Sequence, residues 1–291
     1  MLYMVATQHQ ELADGVKAIK NADLSLMGLS LVFQLGTYLS AALVYYFISI
    51  RRIAFTRTLL VQVGSSFTNR LLPAGTGRLA TFGRYLIKQG HTTQQAAALL
   101  AVNNLMGFIG LIILTLGAAF ASRTPVSEAL SYPIPAWLIL VLLGAAATVI
   151  LTASLYQPLL KRTKRAAKGA VADFKLISAS PIRLLAGLLS SMMITVCFWA
   201  ILYVTIIALG QSATILQTFI VMTVGVAAAS ITPTPGGVGG AEAGLVAALT
   251  AIDINTEAAI SIALVYRIIT FWLPIIPGFI CFRIALRRRI L

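Results

Sequence analysis

The chain is predicted to be all-α: a polytopic membrane helix bundle of two inverted repeats, each built as span, re-entrant hairpin, span. Three observations predict this. Of 291 residues, 59% are hydrophobic and only 10% charged, with a mean hydropathy of +0.92, whereas soluble domains carry about 25% charged residues. Apolar runs at 24–50, 95–121, 135–156, 182–209 and 258–282 each reach the roughly 20 residues that cross a bilayer as a helix. A Pro-x-Gly-x-Gly pattern occurs twice, as Pro73-Ala-Gly-Thr-Gly77 and Pro235-Gly-Gly-Val-Gly239, each time interrupting an apolar stretch. Pro and Gly release backbone N–H and C=O groups from helical pairing, and hydrocarbon tolerates that only where the irregular segment is buried in protein or lines a polar cavity.

All 291 residues are assigned to a single membrane domain, since no polar segment is long enough for a second core. Residues 10–20 carry Leu12, Val16 and Ile19 at helical spacing among charged residues, which suits a short helix lying in the outer interface. Residues 24–50 then cross inward. The arms 58–72 and 79–90 are too short to cross; about fifteen residues give roughly 22 Å at helical rise. With Arg57 and Lys88 at its two ends, the segment 58–90 is expected to be a hairpin dipping from the cytoplasmic side. Residues 95–121 cross outward, 135–156 return to a basic loop, and 182–209 cross outward again. A second hairpin, 214–252, surrounds Thr232-Pro-Thr-Pro-Gly-Gly-Val-Gly-Gly240, and the last span, 258–282, descends to a terminal Arg cluster.

The two hairpins superpose in sequence. Val63-Gly64 matches Val224-Gly225, Pro73, Gly75 and Gly77 match Pro235, Gly237 and Gly239, and Gln95-Ala96-Ala97 matches Glu257-Ala258-Ala259. Because the single span 135–156 reverses the chain between them, repeats 24–121 and 182–282 are expected to have opposite orientation. Transporters built this way place substrate near the midplane, where the repeats meet.

A net charge of +14 invites a nucleic-acid reading until its placement is considered. Arg51, Arg52, Arg57 and Lys88, the loop Lys161 to Arg183, and Arg283 to Arg289 all fall at one set of span ends; Asp23, Asp253 and Glu257 fall at the other. The positive-inside rule makes the basic ends cytoplasmic, with the N-terminus outside, in a multi-pass cytoplasmic-membrane protein. Nucleic acid is therefore excluded as a partner, while anionic lipid at the cytoplasmic face is an expected one. Cys197 and Cys281 sit in apolar spans and His9 and His91 lack partners at metal or triad spacing, so no metal, cofactor or catalytic residue is predicted. Gly75-Thr-Gly-Arg-Leu-Ala80 matches a dinucleotide fingerprint only in form, because no strand precedes it.

Arg70, Arg78 and Arg84 on the first hairpin and Arg267 in the last span are predicted within or beside membrane-embedded structure, and Glu242 on the second hairpin is the acid set against them. A central Arg costs about 2.5–3.5 kcal/mol on insertion scales, so such residues face the bundle interior and are functional candidates by default. The surplus of cations favours an anionic ligand. Candidate substrate-binding residues are Asn69, Arg70, Gly75, Gly77, Arg78, Gly237 and Gly239, the glycines through backbone N–H groups at helix starts. Glu242 and Arg267 form the candidate gating ion pair, with Arg78 an alternative partner for the carboxylate.

At these motifs the chain resembles the flippase-like, lysylphosphatidylglycerol synthase transmembrane-region family. The stretches that carry the resemblance are Asn69-Arg-Leu-Leu-Pro-Ala-Gly-Thr-Gly-Arg78, Thr232-Pro-Thr-Pro-Gly-Gly-Val-Gly-Gly-Ala-Glu242 and Tyr266-Arg267. The resemblance implies movement of an anionic phospholipid or related amphiphile across a cytoplasmic membrane. In the bacterial multiple peptide resistance factors this region is held to flip aminoacylated phosphatidylglycerol made by an attached soluble domain. Lipid aminoacylation by the present chain is not an expectation, and no enzyme activity is predicted. The rival reading is a non-transporting membrane subunit that docks a lipid-modifying enzyme on its basic face; that enzyme or a second copy of the chain would then be the protein partner.

Overall fold

A computed structural model describes residues 23–72, 76–121, 180–232 and 234–291. The expected interfacial helix at 10–20, the span at 135–156, the basic loop from Lys161 and the glycine at 75 lie outside them. Among the described residues the chain is helical, without strands. Four segments are long and apolar enough to cross a membrane: Leu24–Ile48, Thr93–Ala118, Pro181–Ala208 and Thr256–Arg287. The protein is a multi-pass membrane helix bundle.

Helix α1 (Leu24–Ile48) starts where the Asp23 carboxylate accepts the Ser25 and Leu26 N–H groups at 2.9 and 3.4 Å. Two short helices follow, α2 (Phe55–Leu71) of 17 residues and α3 (Thr76–Lys88) of 13. They run antiparallel, since Thr58 meets the Tyr85 hydroxyl near their outer ends at 2.8 Å and Thr68 meets Thr81 near the turn at 2.9 Å. At about 1.5 Å per residue neither reaches the roughly 30 Å of a bilayer core. Helix α4 (Thr93–Ala121) is long and apolar. Its Phe108, Ile112, Leu116 and Phe120, four apart, are exposed and give it a lipid-facing stripe.

The described chain resumes with α5 (Pro181–Ala208), which has Pro181 in its first turn. A second pair of short helices comes next, α6 (Ile215–Ile231) and α7 (Gly240–Thr250), joined through a single 3-10 turn at Pro235–Gly237. Thr214 and Gln217 form a reciprocal capping box that opens α6. Antiparallel packing of this pair follows from its close approaches, Leu245 against Gly225 and Thr232 against Gly240.

The last span, expected at 258–282 with Pro274 and Pro277 as residues able to kink it, is broken just before Pro274. It is α8 (Thr256–Arg267), a π turn at Ile268–Trp272, and α9 (Ile275–Arg287). The Leu273 N–H reaches back five residues to the Ile268 carbonyl at 2.8 Å. Pro274 has no N–H to return to Thr270, and the Thr270 hydroxyl already bonds the Tyr266 carbonyl at 2.8 Å, so helical pairing fails there.

Hydrogen bonds fix how the long helices are laid. The Asp23 N–H donates to the Ala208 carbonyl at 3.2 Å, joining the start of α1 to the end of α5. At the other end Arg183 donates to the Phe47 and Ser49 carbonyls at 2.9 and 2.6 Å. Helix α9 lies along α2, with Phe67 set between Phe279 and Phe282 at 5.3 and 6.0 Å. Two apolar cores result. One gathers Ile206, Leu216, Leu245, Leu249 and Ile262; the other gathers Tyr45, Phe82, Tyr85, Leu86, Leu99 and Ala285. Polar side chains are buried as well, among them Ser30, Gln34 and Thr37 on α1 and Gln62 and Ser65 on α2. In a protein whose outside is apolar, that inward polar face marks the site.

Candidate functional site

A cavity of about 300 Å³ lies where α1, α2, α5, α6, the 3-10 turn and the broken last span meet. Its cationic wall is Arg70, Arg78 and Arg267, and its neutral polar wall is Gln34, Tyr38, Gln62, Ser65, Ser66 and Asn69. Helical geometry explains the second wall. Gln62, Ser65, Ser66, Asn69 and Arg70 follow the i, i+3, i+4, i+7, i+8 pattern, so they form one stripe along α2. Gln34 and Tyr38, four apart on α1, face the same space.

The turn between α2 and α3 is tight because Gly77 lies under Thr68. A Cβ at Gly77 would come within 2.0 Å of the Thr68 carbonyl oxygen, closer than real contacts allow. Gly77 is buried and not part of the cavity wall. The next residue, Arg78, does reach the wall, and its guanidinium lies near the buried Tyr45 hydroxyl. Arg84 is exposed and does not line the cavity.

Arg70 is committed to the broken span. Its Nε donates to the Phe271 carbonyl at 2.7 Å, one terminal nitrogen to the Thr270 carbonyl at 2.6 Å, and the other to Ser66 of its own helix at 2.6 Å. Thr270 is the residue whose carbonyl Pro274 orphans. A cation from the first hairpin thus takes over backbone pairing that proline removed from the last span, and a buried carbonyl must be paired somewhere.

On the other side, Arg267 Nε sits 2.6 Å from Glu242 Oε1, with side-chain exposures of 10% and 15%. The second Glu242 oxygen accepts the Gly239 N–H at 2.8 Å, so the same carboxylate caps α7. Arg267 also donates to the Gly236 carbonyl at 3.3 Å. Phe271 lies between the two cations, its ring centre 4.2 Å from the Arg267 guanidinium carbon and 5.5 Å from that of Arg70. Gly236 permits this arrangement: it has φ of +65°, and a Cβ there would lie 2.1 Å from the Phe271 ring.

The two further candidate glycines of this turn have occupied amides. The Gly237 N–H donates to the Thr234 carbonyl at 3.0 Å, and the Gly239 N–H goes to Glu242. Asn69 lies on the cavity wall. Its Oδ1, together with Gln34 Oε1, Gln62 Oε1 and the Tyr38 hydroxyl, is buried without a hydrogen-bond partner among the described residues. The Tyr38 hydroxyl comes close to Arg70 but does not complete a bond.

Sequence reasoning singled out Asn69, Arg70, Arg78, Glu242 and Arg267, and these come together around one cavity and its ion pair. It missed Gln34, Tyr38, Tyr45, Gln62 and Phe271. The signal for Gln34 and Gln62 was available: an uncharged amide inside an apolar or short intramembrane helix needs a partner. Chemically the cavity offers fixed positive charge, unused polar atoms and apolar surface from Met222, Leu245 and Ile194, a lining suited to an anionic, amphiphilic guest.

No curated protein matches the chain. The family model described as lysylphosphatidylglycerol synthase TM region matches residues 2–278. With nearly its whole length matched, the chain belongs to the lysylphosphatidylglycerol synthase TM region family.

Proposed function

We propose that the protein is a flippase-like transporter that moves an anionic phospholipid or related amphiphile across the cytoplasmic membrane without enzymatic chemistry. The observation that carries this reading is the cavity itself: about 300 Å³, cationic on one wall, neutral and polar on another, within a bundle whose outer surface is apolar. A volume of that size suits a head group, and acyl chains would stay among the exposed apolar side chains of the long helices. Asn69 and Arg78 bind the head group from the first hairpin, and Arg70, held by carbonyls, adds its charge to the same wall. Glu242 and Arg267 act as the gate, a buried charge contact that breaks and re-forms as access alternates.

In this reading the chain is an inverted-topology repeat with two re-entrant hairpins. Supporting it, the roots of α2 and α3 tie to the end of α1, through the Ser49 to His91 contact at 3.1 Å, while the root of α6 ties to α5 near its end, through Trp199 and the Ile215 carbonyl at 3.3 Å. Those are opposite ends of an antiparallel helix pair. The basic end faces the cytoplasm and the start of α1 faces outward. No nucleotide motif is present in the sequence, so drive comes from gradients; an inside-negative potential favours outward passage of an anion by about 2.3 kcal/mol per charge per 100 mV.

The test is reconstitution into vesicles carrying fluorescent phosphatidylglycerol, with dithionite accessibility as the readout. Exchange well above empty vesicles, abolished by Arg78→Gln, is the expected result. Exchange no faster than in empty vesicles would reject transport and leave the scaffold reading.

A further inference from the structure

The bundle holds a second cationic cavity, at the outer ends of α2 and α3, that shares no lining residue with the first. It encloses about 530 Å³ and is lined by Thr56, Arg57 and Leu60 of α2, Lys88 and Gln89 at the end of α3, and Arg288, Arg289 and Ile290 after α9. Four of these side chains are cationic and none is acidic. The described acids Asp23, Asp253 and Glu257 stand at the other helix ends, and Glu242 is bound to Arg267. Like charges gathered with no acidic side chain among the lining residues repel one another and favour an anion between them.

The arrangement is built rather than incidental. Ile290 and Leu291 are buried, 8% and 4% exposed, and belong to the Tyr45–Phe82–Leu86 core. They pin the basic turn that carries Arg288 and Arg289. Arg289 has φ of +54°, a left-handed conformation that a non-glycine residue adopts at local backbone cost. Lys88 fastens the turn from below, donating to the Arg289 carbonyl at 3.3 Å and to the Leu291 carbonyl. The terminal arginines therefore act as more than a topology signal: the fold bends them back over Arg57. Leu60 and Ile290 supply an apolar floor.

We propose that this cavity is a binding site for a phosphate group, carried by an anionic lipid head group or by a soluble phosphate, separate from the transport cavity and independent of the transport reading. Guanidinium groups from two chain segments match the planar, multidentate demand of a phosphate, and Lys88 adds a point charge.

The test uses full-length protein in neutral detergent with a bimane on Gln89→Cys and Ala at Cys197 and Cys281. Dioctanoyl phosphatidylglycerol, dioctanoyl phosphatidylcholine and inorganic phosphate are titrated separately. A saturable emission change with phosphatidylglycerol or with inorganic phosphate supports the site; a lower midpoint for the lipid assigns it to head groups, and for phosphate to a soluble anion. Replacing Arg57, Arg288 and Arg289 together by Gln is expected to raise the midpoint roughly a hundredfold, since each cation near an anionic surface contributes about fivefold. On the unsubstituted arginines, raising salt from about 0.1 to 0.5 M should weaken binding, because these side chains are exposed and screened. Arg78→Gln should leave the midpoint unchanged. No saturable change with either anion, a midpoint unmoved by the triple replacement, or insensitivity to salt would overturn the proposal.

Discussion

The two helical hairpins share a backbone plan and differ in cargo. The α2–α3 pair carries Arg70, Arg78, Asn69 and the Gln62–Ser65–Ser66 stripe, all on one cavity. The α6–α7 pair presents mainly Met222, Gly225, Val226, Ala229 and Leu245 to the same cavity, and its charged contribution is Glu242, bound to Arg267. One hairpin is chemistry; the other is an apolar wall with a latch. In the proposed transporter, the divergence of side chains between the two short helix pairs would make one a reader and the other a lock.

That division separates the two cavity-lining arginines of the first hairpin. Arg70 holds the Thr270 and Phe271 carbonyls, so Arg70→Gln should unlatch the broken span and destabilise the protein by about 4 kcal/mol, charged hydrogen bonds contributing roughly 1.5–3 kcal/mol each. Arg78, on the cavity wall beside the Tyr45 hydroxyl, should behave differently: Arg78→Gln should lose transport at least tenfold while stability stays within about 1 kcal/mol. Denaturation in detergent with lipid exchange in vesicles checks both. Equal stability losses would erase the distinction between reader and brace.

On the second hairpin the latch predicts a compensation. Glu242→Gln keeps an oxygen for the Gly239 N–H but leaves Arg267 buried and unpaired, a loss of about 3 kcal/mol. Adding Arg267→Gln removes the stranded charge and should restore most of that stability without restoring transport. A double variant as unstable as the single one would show that Glu242 matters as a cap and not as a partner.

How much of this was legible beforehand follows the same division. Spans and breaks are written in apolar length and in Pro-Gly punctuation, which act locally, and so were Arg267 and Glu242 as charges with no watery alternative. The stripe on α2 was also present, as polar residues at helical spacing from Gln62 to Arg70, but only Asn69 and Arg70 stood out, because the arm 58–72 reads as apolar as a whole. The role of Arg70 was not legible. It depends on Pro274 freeing a carbonyl about two hundred residues away in the chain and on α9 lying along α2, a tertiary fact that no local pattern carries. Amide donors at Gly237 and Gly239 were expected to be open because helix starts usually are; the chain instead satisfies them with Thr234 and Glu242.

The stripe gives a prediction of opposite sign. Gln62 is buried with an unpartnered oxygen, so Gln62→Leu should raise stability by about 1 kcal/mol, an unmade hydrogen bond being worth more to remove than to keep. If Gln62 reads the head group, transport should fall in the same variant. A stabilised protein with full transport would exclude Gln62 from the reading surface, and a destabilised one would mean its oxygen is paired in the membrane.

The smallest effect concerns the roots of the hairpins, of which the first carries a histidine. His91 is buried where α3 turns into α4. Its Nδ1 donates to the Leu86 carbonyl at 3.1 Å, and its Nε2 accepts the Arg51 backbone N–H at 3.3 Å. A backbone acceptor on one nitrogen and a backbone donor on the other require the neutral ring. Burial lowers its pKa below the usual 6.5 first of all, the Leu86 bond opposes this, and the Arg51 charge adds to the lowering. The unfolded chain therefore binds the proton more readily than the folded one, so stability is full above pH 6.5 and declines as pH falls below it. Melting temperature should drop as pH falls below about 6.5, and His91→Gln should flatten that slope. Hydrogen exchange should place the loosening at residues 86–92 and not at the α7–α8 turn, where no histidine lies; equal loosening at both roots would deny the first hairpin its own pH-sensitive hinge.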